Sequence, residues 1–169
     1  MTDRFSRLGD LDVTAVRDWL SAIPLEEWPH QDRINPNCRH PCMVDASSHW
    51  FGVAEAMHPL IHGVMSEHFR GYSAAHPRLS MLVPGQRILP HRDPLPAGWV
   101  ARVHVPICTN EDVEFSYADG LTIKMPVGAA YSFNPQFEHR VDNRGDTARV
   151  HLFFDVLGVV DDAPTLRAT

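Results

Sequence analysis

A chain of 169 residues with 44% hydrophobic side chains is sized for one domain with its own core. A formal net charge of −6 gives no basic footprint for nucleic acid, and neither the polar start, MTDRFSRLGDLDV, nor any run near ~18 apolar residues offers a signal peptide or a membrane span. Three cysteines, an odd number, suit a reduced compartment better than a disulfide framework, so a cytoplasmic protein is expected. In chain order the first element is a helix over residues 13–23, with Asp12 as its cap, Val16, Leu20 and Ile23 at helical spacing and Pro24 as its stop. Cys38, His40 and Cys42 in NCRHPC invite a zinc reading, but the C-x3-C spacing has no partner pair and a structural site normally takes four ligands. A loop near the mouth of the fold is the better account. A second helix is predicted to begin near Pro59, a residue suited to a first helical turn, and to run through Ile61, Val64, Met65, His68 and Phe69.

From Leu79 onward the sequence reads as strands, at 79–83, 86–91, 99–107, 112–117, 121–125, 129–133, 138–142 and 148–156. Eight short strands with Gly and Pro turns predict a mainly β fold, a double-stranded β-helix (jelly roll, cupin-like) with the N-terminal helices packed on one sheet. Residues 1–158 form a single domain in this reading, with 1–78 as helical front and support, 79–158 as jelly-roll core, and 159–169 as a mobile tail.

The candidate chemistry lies in the strands. His91 and Asp93 fall two apart in PGQRILPHRDP, so an extended backbone points both the same way and Arg92 the other. His139 follows on a second strand-like segment, FNPQFEHRVDN. Two histidines and one carboxylate hold a ferrous ion by one face and leave the opposite positions open. With eleven histidines in the chain, an isolated HxD pair is weak evidence. The arginines strengthen it. In the run from Ala101 to Ile107, Val103, Val105 and Ile107 share one face and Arg102 and His104 the other. Between Ala148 and Val156 the pattern repeats, with Arg149, His151, Phe153 and Asp155 opposite Val150, Leu152, Phe154 and Val156. A guanidinium pointing into a barrel must meet an anion, because an unpaired buried charge costs about 3–5 kcal/mol. Planar, bidentate recognition of a carboxylate is arginine's particular strength.

Four ordered blocks, LSMLVPGQRILPHRDP, RVHVPI, PVGAAYSFNPQFEHRVDN and ARVHLFFDV, covering about half the chain, resemble the aspartyl/asparaginyl β-hydroxylase family of Fe(II)- and 2-oxoglutarate-dependent oxygenases, which includes the proline cis-hydroxylases. The resemblance implies Fe(II), 2-oxoglutarate as cosubstrate and O2. It implies metal binding by His91, Asp93 and His139, with Asp93 standing where the proline-hydroxylase branch keeps its carboxylate and mammalian-type aspartyl hydroxylases have glycine. It further implies that Arg149, assisted by Ser80, grips the distal carboxylate of 2-oxoglutarate, that His104 contacts its metal-bound end, and that Arg102 holds a substrate carboxylate. His151 on the inward face and Trp99 at the mouth are candidate substrate contacts, with Trp28 and Trp50 as further mouth residues. The acidic pair usual just before Phe-Glu-His is replaced by Asn134-Pro135. The expected lid is the front segment or the turn from Pro94 to Gly98, and the expected substrate a small amino acid or a short peptide. The rival is a metal-binding cupin without oxygenase activity, an isomerase or small-molecule binder. Gly85 before His91, Gly120 before Pro126 and Gly128, and His139 before Asn143 approximate its two motifs. Such a cupin gives no reason for Arg149 and Arg102 to point inward. Oligomeric state is not encoded in any of these patterns.

Overall fold

The computed structural model of the chain describes residues 4–24, 28, 38–39 and 48–158, and only the backbone of 38–39 and 48–52. The elements are β1 (Phe5–Asp10), α1 (Thr14–Ser21), β2 (Cys38–Arg39), α2 (Ser48–His68), β3 (Ser73–Leu82), β4 (Arg87–His91), β5 (Trp99–Cys108), β6 (Val113–Tyr117), β7 (Thr122–Ile123), β8 (Ala129–Phe133), β9 (His139–Asn143) and β10 (Arg149–Leu157). Among the described residues, six strands form one antiparallel sheet, ordered β1-β8-β5-β10-β3-β2, and four form a second, ordered β4-β9-β6-β7. The fold is the expected jelly roll of two antiparallel sheets.

Each inner strand of the larger sheet is used on both faces. Leu79, Met81, Val103, Val105, Ile107, Leu152 and Phe154 point outward into a core completed by Val16 and Leu20 of α1 and Val53, Met57, Leu60 and Val64 of α2. The inward face meets the smaller sheet, where Leu82, Phe115, Met125, Tyr131, Phe133 and Val141 form a second cluster. Trp28 is buried in the helix-side core and so does not line a mouth, while the side chain of Trp50 lies outside the described residues.

Several boundaries differ from the sequence expectation. Helix α1 stops at Ser21; its last turn tightens, with the N–H groups of Ala22 and Ile23 donating to Trp19 and Leu20 carbonyls three residues back, and Ile23 remains buried. Asp12 Oδ1 accepts the Thr14 N–H at 3.0 Å, one residue ahead of the N-cap Val13. Helix α2 does not begin near Pro59 but at Ser48, with Pro59 in its interior. Pro59 and Glu55, whose carbonyl loses its helical donor, are both on the exposed side, so water takes over that bond while the buried stripe Val53-Met57-Leu60-Val64 keeps the helix on the sheet.

β1 pairs with β8, and the turn before β8 requires glycine: Gly128 has φ +80, and a Cβ there would meet the Leu11 carbonyl oxygen at 2.5 Å. β3 starts at Ser73, six residues before the predicted strand. Cys38 and Arg39 form β2 by pairing with Leu82 and Met81, so this part of the expected loop is a short edge strand. His40, Cys42 and the tail 159–169 lie outside the described residues. Among the described residues no helix is long and apolar enough to cross a membrane.

Candidate metal centre and cavity

β4 pairs with β9 in a register that sets His91 opposite His139, after an irregularity between Ile88 and His91. Ile88 already faces inward opposite Val141, and strict alternation would turn His91 outward. The extra residue at Leu89-Pro90 returns it to the inner face. Each imidazole is oriented from behind. His91 Nδ1 lies 2.8 Å from the Leu89 carbonyl and His139 Nδ1 2.9 Å from that of Phe137. A carbonyl partner fixes a proton on Nδ1 and turns Nε2 toward the cavity.

Asp93 stands just beyond β4, so the loop as well as the pleat positions it. The Asp93 N–H donates to the Pro135 carbonyl at 3.1 Å, and the Asp93 carbonyl accepts from Gln136 Nε2 at 2.6 Å. The Asn134-Pro135-Gln136 turn thus pins the backbone of the carboxylate it faces, and Arg92 is turned away, as expected, toward the Gln136 carbonyl. His91 Nε2 is 3.4 Å from Asp93 Oδ1 and His139 Nε2 3.8 Å from Oδ2. One ligand atom from each of the three residues falls within 4.8 Å of the others. Burial pushes the Asp93 carboxyl upward, but the hydrogen bond from His91 and the charge of Arg102 outweigh it and hold the group below the usual carboxylate range. His91 is raised, chiefly by that same hydrogen bond. Burial, against the stacked ring of Phe115, lowers His139.

These ligands line a cavity of about 440 Å3 between the two sheets, which Ser80, Arg102, His104 and Arg149 also line. Arg149 is 1% exposed, the most enclosed charge in the described chain. Its NH1 donates to Ser80 Oγ at 3.4 Å and its NH2 to His151 Nδ1 at 2.8 Å. Burial, reinforced by Arg149, pushes both His104 and His151 well below the ordinary histidine range, so both rings are neutral at neutral pH. His104 Nδ1 is buried with no hydrogen-bond partner among the described residues. A deeply buried guanidinium beside a hydroxyl, with an unsatisfied ring nitrogen on the same wall, fits a carboxylate-bearing ligand in the cavity. Two imidazole Nε2 atoms and a carboxylate held below its usual range, all on one side of that space, likewise fit a ferrous ion, which would displace the proton His91 shares with Asp93.

Arg102 is placed differently from the expectation that it stands ready for a substrate. Its Nε and NH2 donate to Asp155 Oδ1 and Oδ2 at 2.9 and 3.1 Å, and its NH1 to Asp93 Oδ2 at 2.5 Å. His151 and Trp99 are not among the residues that line the space. Sequence reasoning missed His76 and Arg78, which do line it. Arg78 is two residues before Ser80 and shares its face, a signal lost because the strand was begun at 79. His76 has φ +52 at a bulge where Ala75 pairs with Asp155 and Arg78 with Phe153, and a bulge leaves no periodic trace in the sequence. Leu95 and its flanking prolines lie along the rim, where the turn from Pro94 was expected to act.

A profile of the family described as aspartyl/asparaginyl beta-hydroxylase matches residues 28–158. No curated protein matches the chain. Among solved structures, a prolyl-4-hydroxylase from Pseudomonas putida superposes with a TM-score of 0.62 at 15% identity, covering 93% of this chain and 94% of that one. A viral collagen prolyl hydroxylase from Paramecium bursaria Chlorella virus-1, solved with 2-oxoglutarate, gives 0.61 at 11% identity over 93% and 97%. A prolyl hydroxylase from Trichoplax adhaerens, in complex with a hypoxia inducible factor peptide fragment, gives 0.64 at 10% identity over 92% and 84%. At these identities the likeness is one of fold.

Proposed function

The chain belongs to the aspartyl/asparaginyl β-hydroxylase family of Fe(II)- and 2-oxoglutarate-dependent hydroxylases, and from that premise we propose that it hydroxylates an unactivated carbon of an amino acid, free or within a short peptide, with succinate and carbon dioxide as coproducts. The observation that carries this reading is the convergence of His91, Asp93 and His139 on the cavity whose wall also holds the buried Arg149. Iron and 2-oxoglutarate, with O2, supply the oxidising power that turns C–H into C–OH; the chain supplies aim and exclusion of side reactions.

In this proposal His91, Asp93 and His139 hold the metal through Nε2, a carboxylate oxygen and Nε2. Arg149 takes the distal carboxylate of 2-oxoglutarate and Ser80 Oγ shares it, both on adjacent strands of the larger sheet. His104 brings its unsatisfied Nδ1 to the same ligand. Phe115 and Phe133 flank His139 and exclude water from its side of the cavity. The rim from Pro94 to Pro96 closes over the substrate. The peptide-bound Trichoplax protein, which shares this fold, supports keeping short peptides among the candidates.

Anaerobic titration of the protein with Fe(II) and 2-oxoglutarate tests the reading. A weak visible charge-transfer absorption should develop, and Arg149→Ala should abolish it at moderate cosubstrate. A plain cupin gives no such band, and its absence from the wild-type protein would overturn the proposal. Screening amino acids and short peptides for stimulated succinate release then identifies the substrate arm.

A further inference from the structure

Among the described residues, three guanidinium groups line the cavity, those of Arg78, Arg102 and Arg149, and two carboxylates, those of Asp93 and Asp155. Arg102 lies between both carboxylates and donates from all three of its nitrogens. Arg149 lies at the opposite end of the strand from Asp155, paired with Leu82. A ferrous dication and the 2-oxoglutarate dianion cancel each other, and the two carboxylates offset two of the three arginines. One positive charge is left over on the wall of a largely apolar space.

That surplus is located at Arg78. Among the described residues no hydrogen bond or ion pair engages its guanidinium, although it is only partly exposed. It sits on β3 opposite Phe153, whose ring is stacked on His104 and approached by Arg102. Leu82, the partner of Arg149, is four residues further along β3, roughly 13 Å at ~3.3 Å per residue. Arg78 is therefore displaced from the cosubstrate's distal carboxylate toward the mouth, next to the half-exposed His76. A partly buried cation without a counter-charge, beside the path into a small-molecule cavity, is a receptor for an anion.

Resting on the hydroxylase reading above, we propose that Arg78, rather than the already engaged Arg102, anchors the substrate through a carboxylate, either the free amino acid's own or the C-terminal one of a short peptide. Arg102 then acts as a strut between Asp155 and the metal ligand Asp93. Internal residues of a polypeptide, which carry no carboxylate at the backbone, are poor substrates on this account.

The experiment uses the full chain with Fe(II) and 2-oxoglutarate under anaerobic conditions, and follows the visible absorption as each probe is added. The probes are the twenty amino acids, a set of dipeptides, and the C-terminal amides of both. A perturbation by acids, weakened about tenfold or more in their amides, is expected, and free amino acids against dipeptides distinguish the two sources of the carboxylate. Arg78→Gln should weaken the responding acid about tenfold, Arg78→Lys should recover part of that, and the affinity for 2-oxoglutarate should stay within about twofold in both. The same pattern should appear as a raised KM in succinate release. Equal binding of acid and amide, an Arg78→Gln protein that binds as wild type does, or silence from every carboxylate probe would overturn the role of Arg78 while the absorption itself leaves the hydroxylase reading standing. Loss of the absorption in wild type would instead remove that reading.

Discussion

The outer and inner faces of β5 and β10 alternate residue by residue and carry opposite chemistry. Outward, Val103, Val105, Leu152 and Phe154 are completely buried against the helices, each contributing roughly 1.5–3 kcal/mol by leaving water. Inward, at the very next positions, stand His104, Arg149, His151 and Asp155, nearly as buried and far costlier to desolvate, with Arg102 partly buried beside them. The same strands thus stabilise the fold on one side and hold a charged, partly unsatisfied cavity on the other. The covered face makes the exacting face tolerable, and the two should respond to mutation in different measurements.

The largest effect is expected from Phe154→Ala. A fully buried aromatic ring replaced by methyl should cost about 3–5 kcal/mol in chemical denaturation, while the folded fraction still develops the Fe(II)–2-oxoglutarate absorption. Arg149→Met inverts that outcome. Cosubstrate affinity should fall about a hundredfold or more, since a buried charge pair is lost from the complex, and stability should change by much less than for Phe154→Ala. A Phe154→Ala protein as stable as wild type, or an Arg149→Met protein that loses as much stability, would break the contrast between the faces.

The same alternation explains how much was legible in the sequence. A period of two with valine on one side and arginine or histidine on the other is written in residues 101–107 and 148–156, so both strands and the inward arginines could be read directly, while the pairing of the two strands in one sheet could not. His91, Asp93 and His139 were legible by type and spacing, although the bulge at Leu89-Pro90 that aims His91 was not. What escaped reading lacks a period. β1 is an edge strand of mixed exposure interrupted by Gly9, and the first half of β3 is exposed and carries Pro77. The partnering of Arg102 with Asp155 was also hidden, because two side chains on one polar face announce an interior and not which of them pair.

The inner face should also show itself in acid. His151 is pushed well below the ordinary range by burial first and Arg149 second, so the native protein resists the proton that the unfolded chain accepts near pH ~6.5. Its contribution to stability is complete above that pH and is lost as the pH falls below it toward the depressed native value. His104 acts in the same direction. Denaturation of the metal-free protein between about pH 7 and pH 5 should show stability falling on acidification, and His151→Gln should reduce the slope by up to ~1.4 kcal/mol per pH unit. An unchanged slope would mean that the ring takes its proton in the native state.

The smallest expected effect sharpens the comparison from a third surface, the exposed side of the helix that covers the outer face. Pro59 interrupts α2 where nothing packs, and its missing N–H leaves the Glu55 carbonyl to water. Pro59→Ala restores a donor and a better helix former without touching Met57 or Leu60 on the buried stripe, and should stabilise by about 1 kcal/mol, with the iron and cosubstrate titrations unchanged. A Tm that rises with identical titrations places α2 wholly in the stabilising half of the molecule. Were the titrations to move as well, α2 would have to reach the cavity through the larger sheet, and the division of labour between its two faces would be lost.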